Sequence, residues 1–380
     1  MRLRNRFVFA FAAAACCIAP LRAQDATPPK IDHPFVIAPK PAPKIDHVFV
    51  IMLENQLFET TFGKDSPAPY LAHELTAKGA LLRQFYGIGH LSLDNYLAMI
   101  SGQAPNKATQ DDCTVFREFT ATGPLDANGQ LPGEGCVYPA SVKTLADQLE
   151  AAGKNWKAYM EDMGKDPARE SSECGHAPIG AEDPTRKATP RDQYAAKHNP
   201  FVYFHSIIDD EARCKKHVVN LDKLKRDLRK PETTPNYSYI SPNLCHDGHD
   251  TPCKNGEPGG LVSADKFLRE WIPRITASSA YKQGGLIVIT FDEATMADTT
   301  ACCGERPLPS GPQPGIDGPG GGRIGAVMLS PRIAPGTVSD LPYNHYSLLR
   351  WTEDNFGLDH LGYAAAPGLA TFGSDVFRAQ

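Results

Sequence analysis

Three things are missing from this sequence, and each absence removes a class of protein. Nowhere do the ~18 uninterrupted apolar residues of a permanent membrane-spanning helix occur; the apolar stretch at residues 7–20 is too short for that role. No Lys/Arg run exceeds a few residues and the formal net charge is only −5, so the chain lacks the basic footprint of a nucleic-acid binder. None of its ten cysteines stands in a C-x-x-C pair, the spacing of most structural zinc sites.

What is present describes a globular enzyme-sized protein. The 380 residues, 41% hydrophobic and 22% charged, suffice for one large α/β domain or two smaller ones, and a single domain over 46–380 is expected. Ahead of it, Arg2, Arg4 and Arg6 precede the apolar stretch and the small-residue site Leu21-Arg22-Ala23. This is the layout of a secretory signal over 1–23, with a lipoprotein site at 13–16 as the competing reading. Export to the periplasm or the medium is therefore expected. Residues 24–45, rich in Pro, Ala and Lys, read as an extended tether.

With Cys16 and Cys17 assigned to the signal, eight cysteines remain, and an even number in an exported chain points to disulfides. Close spacing makes Cys113–Cys136 and Cys245–Cys253 reasonable pairs. The other pairings stay open.

Residues 47–53 (HVFVIML) form an apolar, β-branched run without alternation, as expected of a strand buried on both faces of a parallel sheet. Similar runs occur at 80–85, 156–160, 237–241, 286–291 and 324–329. Helical patterns lie between them at 68–78, 93–100, 141–152, 221–229, 263–276 and 346–356. This alternation predicts a three-layer α/β/α sandwich around a mostly parallel central sheet. Ligands of such sheets gather at the C-terminal strand ends.

The polar clusters fall at those ends. Glu54-Asn55 follows the first strand and Asp292-Glu293 follows the strand at 286–291. Hard oxygen ligands of this kind suit a divalent cation, and adjacent buried carboxylates repel unless a cation lies between them. After 237–241 comes SPNLCHDGHD, with His246, Asp247, His249 and Asp250, side chains able to bind metal or phosphate or to protonate a leaving group. In HLSLDNY, a glycine-containing turn delivers Ser92 to a helix start, where free amides and the helix dipole attract phosphate; an ordinary serine cap is the alternative. Asn95, one turn on, is a candidate donor to a phosphate oxygen. His345, at the start of the last helix, is a further candidate.

At these residues the chain resembles the bacterial phosphoesterase family that includes acid phosphatases and phospholipases C, within the alkaline phosphatase superfamily. The matching motifs, in family order, are Glu54-Asn55 with Phe58 and Phe62-Gly63, HLSLDNYLAMISG, SPNLCHDGHD, TFDEA and NHYSLLRWTEDNFGL. The resemblance implies an alkaline-phosphatase-like fold and a phosphoserine formed on Ser92. It implies a phosphate contact from Asn95 and places His90, His249 and His345 near the phosphate, with Asp247 and Asp250 in the motif loop; Asn95, His249 and His345 are the expected catalytic partners of Ser92, and Asp250 a candidate phosphate contact. The metal positions are Glu54, Asn55, Asp292, Glu293 and the Ser92 oxygen, holding one divalent cation or two.

Three positions depart from the pattern. Asp94 stands where proline is common, Asn344 where aspartate is common, and Glu293 where superfamily relatives often have histidine. The expected function is an exported, metal-dependent phosphomonoesterase of acid phosphatase type, because phospholipases C of the family tend to carry additional C-terminal domains. A phospholipase C-type diesterase acting on lipid headgroups is the alternative within the enzymes, and a non-catalytic metal- or phosphate-binding surface module is the alternative outside them.

Overall fold

In the computed structural model, the described residues are 42–308 and 311–378. The expected signal over 1–23 and most of the expected tether lie outside them. Ile45, at the tether's expected end, is fully buried, and its backbone N–H and C=O both bond the Asn355 side chain at 2.8 Å.

Eight strands form the central sheet of the described residues: β1 (Val48–Leu53), β2 (Ala80–Leu82), β3 (Trp156–Met160), β4 (Val218–Asn220), β5 (Tyr237–Ser241), β6 (Leu286–Phe291), β7 (Ala326–Leu329) and β8 (Thr337–Ser339). Their spatial order is β8-β2-β7-β6-β1-β5-β3-β4. Only β7 runs antiparallel to its neighbours. Every residue of β1 and β6 is buried, because helices cover both faces, and so neither strand alternates.

The three longest helices among the described residues are α1 (Ser92–Ser101), α3 (Gly260–Ala277) and α4 (His345–Phe356), with α2 (Leu145–Ala151) beside α1 and α4. α1, α2 and α4 pack on one another, while α3 packs against the single turn at Tyr70–Leu75. The result is an α/β/α sandwich. Among the described residues a main apolar core runs through it, from Ile45 to Phe377, with a small second cluster around Ile88, Ala98 and Tyr346.

The structure adjusts several expected elements. The run at 80–85 divides, so that β2 joins the main sheet while Phe85–Tyr86 pairs in parallel with Tyr343–Asn344. The helical pattern at 221–229 forms only short turns at Leu221–Lys223 and Leu224–Asp227. Edge strands β4 and β8 had no sequence signature, since three residues are too few to establish a period. The disulfides are Cys113–Cys136 and Cys245–Cys253, as spacing anticipated, together with Cys174–Cys214 and the adjacent pair Cys302–Cys303.

Candidate active site

The sheet order brings together what the chain keeps apart. β1 lies between β5 and β6, and all three run parallel. Their C-terminal ends therefore deliver Glu54, Asp247 and Asp292 to one edge. Leu53 is in register with Phe291, which sets Glu54 level with Asp292. The Glu54 N–H donates to Asp247 C=O at 2.7 Å, tying the third loop to the other two.

Ser92 opens α1 but does not cap it. The N-cap is Leu91, without a side-chain cap bond, so the alternative of an ordinary serine cap does not hold. The Ser92 hydroxyl, 1% exposed, instead donates to Glu54 Oε1 at 2.5 Å. Lys197 Nζ stands 3.2 Å from the same hydroxyl oxygen, and 3.0 Å from both Glu54 Oε1 and Asp112 Oδ2. His198 Nε2 lies 2.8 Å from Glu54 Oε1, its ring stacked on Tyr96 with centroids 5.1 Å apart.

The acids are crowded and buried. Burial and the neighbouring Glu54 charge push both Asp247 and Asp292 well above the usual carboxylate range. Burial, with Asp112 and Glu54 nearby, does the same to Glu293. For Glu54 burial acts upward too, but His198 and Lys197 outweigh it and hold the group well below its ordinary value. Glu54 Oε2, Asp247 Oδ2, Asp292 Oδ2 and His198 Nδ1 are all buried without a hydrogen-bond partner. Glu54, His198 and Asp247 present ligand atoms within 4.8 Å of one another. Buried polar atoms of this kind are normally satisfied, and a divalent cation would satisfy an oxygen-rich set with one imidazole. The residues present thus fit a metal ion.

Several expected site residues are placed otherwise. Asn95 accepts from the N–H groups of Ile88 and Gly89 and donates to Gly89 and Leu91 carbonyls. That uses its whole hydrogen-bonding capacity. Asn95 therefore fixes the turn before Ser92 and has no donor left for a phosphate oxygen. His90 is fully buried, with Nδ1 against Glu293 Oε2 and Nε2 3.1 Å from the Asp298 carbonyl. Both nitrogens are engaged, so His90 orients Glu293 and is not available to phosphate.

His345 is also fully buried, and its Nε2 meets the Asp292 carbonyl at 2.6 Å. Burial lowers it to about 4; Nε2 supports the Asp292 backbone, while Nδ1 is buried without a hydrogen-bond partner. His249, by contrast, is half exposed, 51% at the side chain, with Nδ1 3.6 Å from Glu54 Oε2 and 3.4 Å from Asp250 Oδ1. The Asp250 bond raises its proton affinity against the opposing effect of burial.

Asn55 donates its N–H to Asp292 Oδ1 at 2.9 Å from a left-handed backbone, φ 53°. His246 turns away to Glu161. Lys197, His198 and Asp112 were not anticipated. Lys197 and His198 lie on the short turn Ala196–His198 and Asp112 just after another at Thr109–Asp111, with no strand-end position or recognisable motif, and only the folded chain brings them to the Ser92–Glu54 pair.

Fold and site define an α/β protein with a serine-centred carboxylate cluster suited to a cation, at the C-terminal edge of a mostly parallel sheet. The chain belongs to the Phosphoesterase family, whose profile matches residues 66–359. That span contains Ser92, Lys197, Asp247 and Asp292, while Glu54 and Asn55 precede it.

Among similar proteins, the phosphate-repressible acid phosphatase of Penicillium chrysogenum is 27% identical over 82% of this chain and 59% of its own length. A probable acid phosphatase of Kluyveromyces lactis is 24% identical over 82% and 58%. The chain thus spans less than two thirds of those relatives. A phosphatidylinositol-3-phosphatase of Mycobacterium tuberculosis is 24% identical over 86% of this chain and 82% of its own. A solved protein of the alkaline phosphatase superfamily from Vibrio parahaemolyticus superposes with TM-score 0.49 at 13% identity, covering 87% of this chain and 72% of that one.

Proposed function

We propose that this chain is an exported, metal-dependent phosphatase that hydrolyses phosphate monoesters through a phosphoserine at Ser92. The observation that carries the reading is the hydroxyl of Ser92, buried at a helix start, uninvolved in capping, and hydrogen-bonded to a carboxylate whose other oxygen has no partner. The acid phosphatase relatives support the reaction class. The arginine-led apolar N-terminus and the four disulfides support export.

Glu54, Asp247, Asp292 and His198 would hold a divalent cation, with Asn55 and Glu293 beside them. Bound there, the cation would withdraw negative charge from phosphate oxygens as a Lewis acid. Ser92 attacks phosphorus as its proton passes to Glu54 Oε1, the acceptor it already faces. The new Ser–O–P bond forms as the ester P–O bond breaks, and the departing alkoxide takes a proton from His249, the site histidine open to solvent. Water, giving a proton to His249, then displaces Ser92 from phosphorus; Ser92 regains its proton from Glu54 and phosphate is released.

A monoester carried on a lipid is the second reading, favoured by the length-matched mycobacterial relative, whose name is that of a phosphoinositide phosphatase. Hydrolysis of p-nitrophenyl phosphate beside bis-p-nitrophenyl phosphate, each with divalent metal or chelator, tests the proposal. Monoester turnover that chelator removes and Ser92→Ala abolishes, with the melting temperature unchanged, is the expected result. Diester-only turnover would replace it with a phospholipase C-type reading. No turnover on either substrate would favour a binding module.

A further inference from the structure

We propose that Lys197 is a catalytic residue whose ammonium stabilises the negative charge on the Ser92 oxygen, both as Ser92 attacks and as it later leaves phosphorus. This inference rests on the reading of Ser92 as nucleophile given above.

The argument begins with bond directions. A lysine ammonium only donates, so the 3.2 Å contact runs from Nζ to a lone pair of Ser92 Oγ. The hydroxyl proton points the opposite way, to Glu54 Oε1 at 2.5 Å. Ser92 therefore has an acceptor for its proton on one side and a fixed positive charge on the other. When the proton moves to Glu54 Oε1 and the Oγ–P bond forms, Lys197 already faces the oxygen where charge develops. Preorganisation of this kind contributes most to electrostatic catalysis.

A salt bridge serving only to neutralise acids is the plainer account. Glu54 and Asp112 would satisfy it with two of the three ammonium N–H bonds, each at 3.0 Å. The third bond goes to a neutral hydroxyl, which needs no neutralising. Lys197 is also rigidly held. Its side chain is 17% exposed, Tyr239 Oη donates to the carbonyl of adjacent His198 at 2.9 Å, and the Ala196 N–H donates to Thr185 Oγ1 at 2.7 Å.

Asp112 in turn accepts the Leu93 N–H of α1 at 3.1 Å and precedes Cys113, which the disulfide to Cys136 anchors. Lysine, nucleophile and helix start are thus coupled through one carboxylate. In the second half-reaction the same contact supports Ser92 as the leaving oxygen, which regains its proton from Glu54 as water adds to phosphorus.

The test uses the purified full chain with added divalent metal and p-nitrophenyl phosphate, in wild-type, Lys197→Ala, Lys197→Arg and Ser92→Ala forms. Steady-state kinetics, melting temperature and the rate of phosphoserine appearance by rapid quench and mass spectrometry are measured. Lys197→Ala is expected to lose roughly a hundred- to a thousand-fold in kcat, as when an oxyanion donor is removed, with KM changed far less and phosphoserine formation slowed in parallel. Ethylammonium is expected to rescue it saturably where ethanol does not, and Lys197→Arg to retain part of the rate.

An active wild type whose Lys197→Ala variant keeps kcat within about threefold would overturn the inference alone; the scale for comparison is the loss above. So would a variant that loses activity, melts early and gains nothing from ethylammonium, with Lys197→Arg equally impaired, since that marks a structural salt bridge. A wild type no more active than Ser92→Ala would overturn the nucleophile reading, and this inference with it.

Discussion

At the residue scale, the site is a question of which carboxylate oxygens have partners. Glu54 shows the division most clearly, because Oε1 serves Ser92, Lys197 and His198 while Oε2 has no hydrogen-bond partner. His198→Ala removes the one nitrogen of the proposed ligand set. Metal affinity, read by calorimetric titration of the chelator-treated protein, should fall by at least tenfold; unchanged affinity would exclude His198 as a ligand.

Glu353 offers a pH prediction away from the metal. It is fully buried in α4, Oε1 accepts the Leu361 N–H at 2.9 Å, Oε2 has no partner, and burial raises it to about 9. An acid raised in the folded state contributes stability that is complete below its unfolded value, ~4.3, and is lost as pH rises through its folded value. Melting temperature should therefore decline between about pH 4.5 and 9. Glu353→Gln should flatten that decline, and parallel wild-type and variant profiles would contradict the assignment.

At the scale of elements, helix ends decide what the side chains near them can do. α2 begins with a complete capping box, in which Thr144 accepts from the Asp147 N–H and Asp147 accepts from the Thr144 N–H. Thr144→Ala should cost about 1 kcal/mol, measured by denaturant unfolding, with no change in kinetics. α1 begins differently. Its start carries no side-chain cap from Leu91, and the Leu93 amide goes to Asp112 from a separate loop, which leaves the Ser92 hydroxyl for chemistry. A helix over 93–100 and its glycine-containing lead-in were expected from the sequence, and the helix runs over Ser92–Ser101. The cap arrangement was not, because Asp112 reaches the helix only through tertiary structure.

At the scale of the whole molecule, covalent links complement the core. Cys174–Cys214 joins residues 40 apart and holds the Cys174 segment beside β4, where the Cys174 N–H donates to the Val218 carbonyl. Closing a loop of that size is worth about 3–4 kcal/mol through the unfolded chain. Cys302–Cys303 joins neighbours and removes almost no chain entropy. The paired Cys174→Ser/Cys214→Ser variant should therefore melt well below wild type, whereas Cys302→Ser/Cys303→Ser should melt close to it. Equal losses in the two pairs would show that loop closure is not the source of the stability.

The sequence by itself determined the elements whose pattern is local. Apolar runs without alternation marked β1, β3, β5 and β6 as buried strands, and the acids directly after β1 and β6 had to lie at the ligand-binding edge of a parallel sheet. Ser92 at a helix start, and His249 in a dense polar loop, were readable for the same reason. Tertiary structure alone decided which candidates face the reaction. It engaged both nitrogens of His90 and the whole Asn95 amide behind the site, and set His345 Nε2 on the Asp292 carbonyl, since a hydrogen bond to a distant partner leaves no periodic trace. The strand order sets three sequence-distant strand ends side by side, and the short turn Ala196–His198 brings Lys197 and His198 to Glu54 there, with Asp112 beside Lys197. The crowding of acids at that edge, and the orphaned oxygens that call for a cation, exist only once those ends meet.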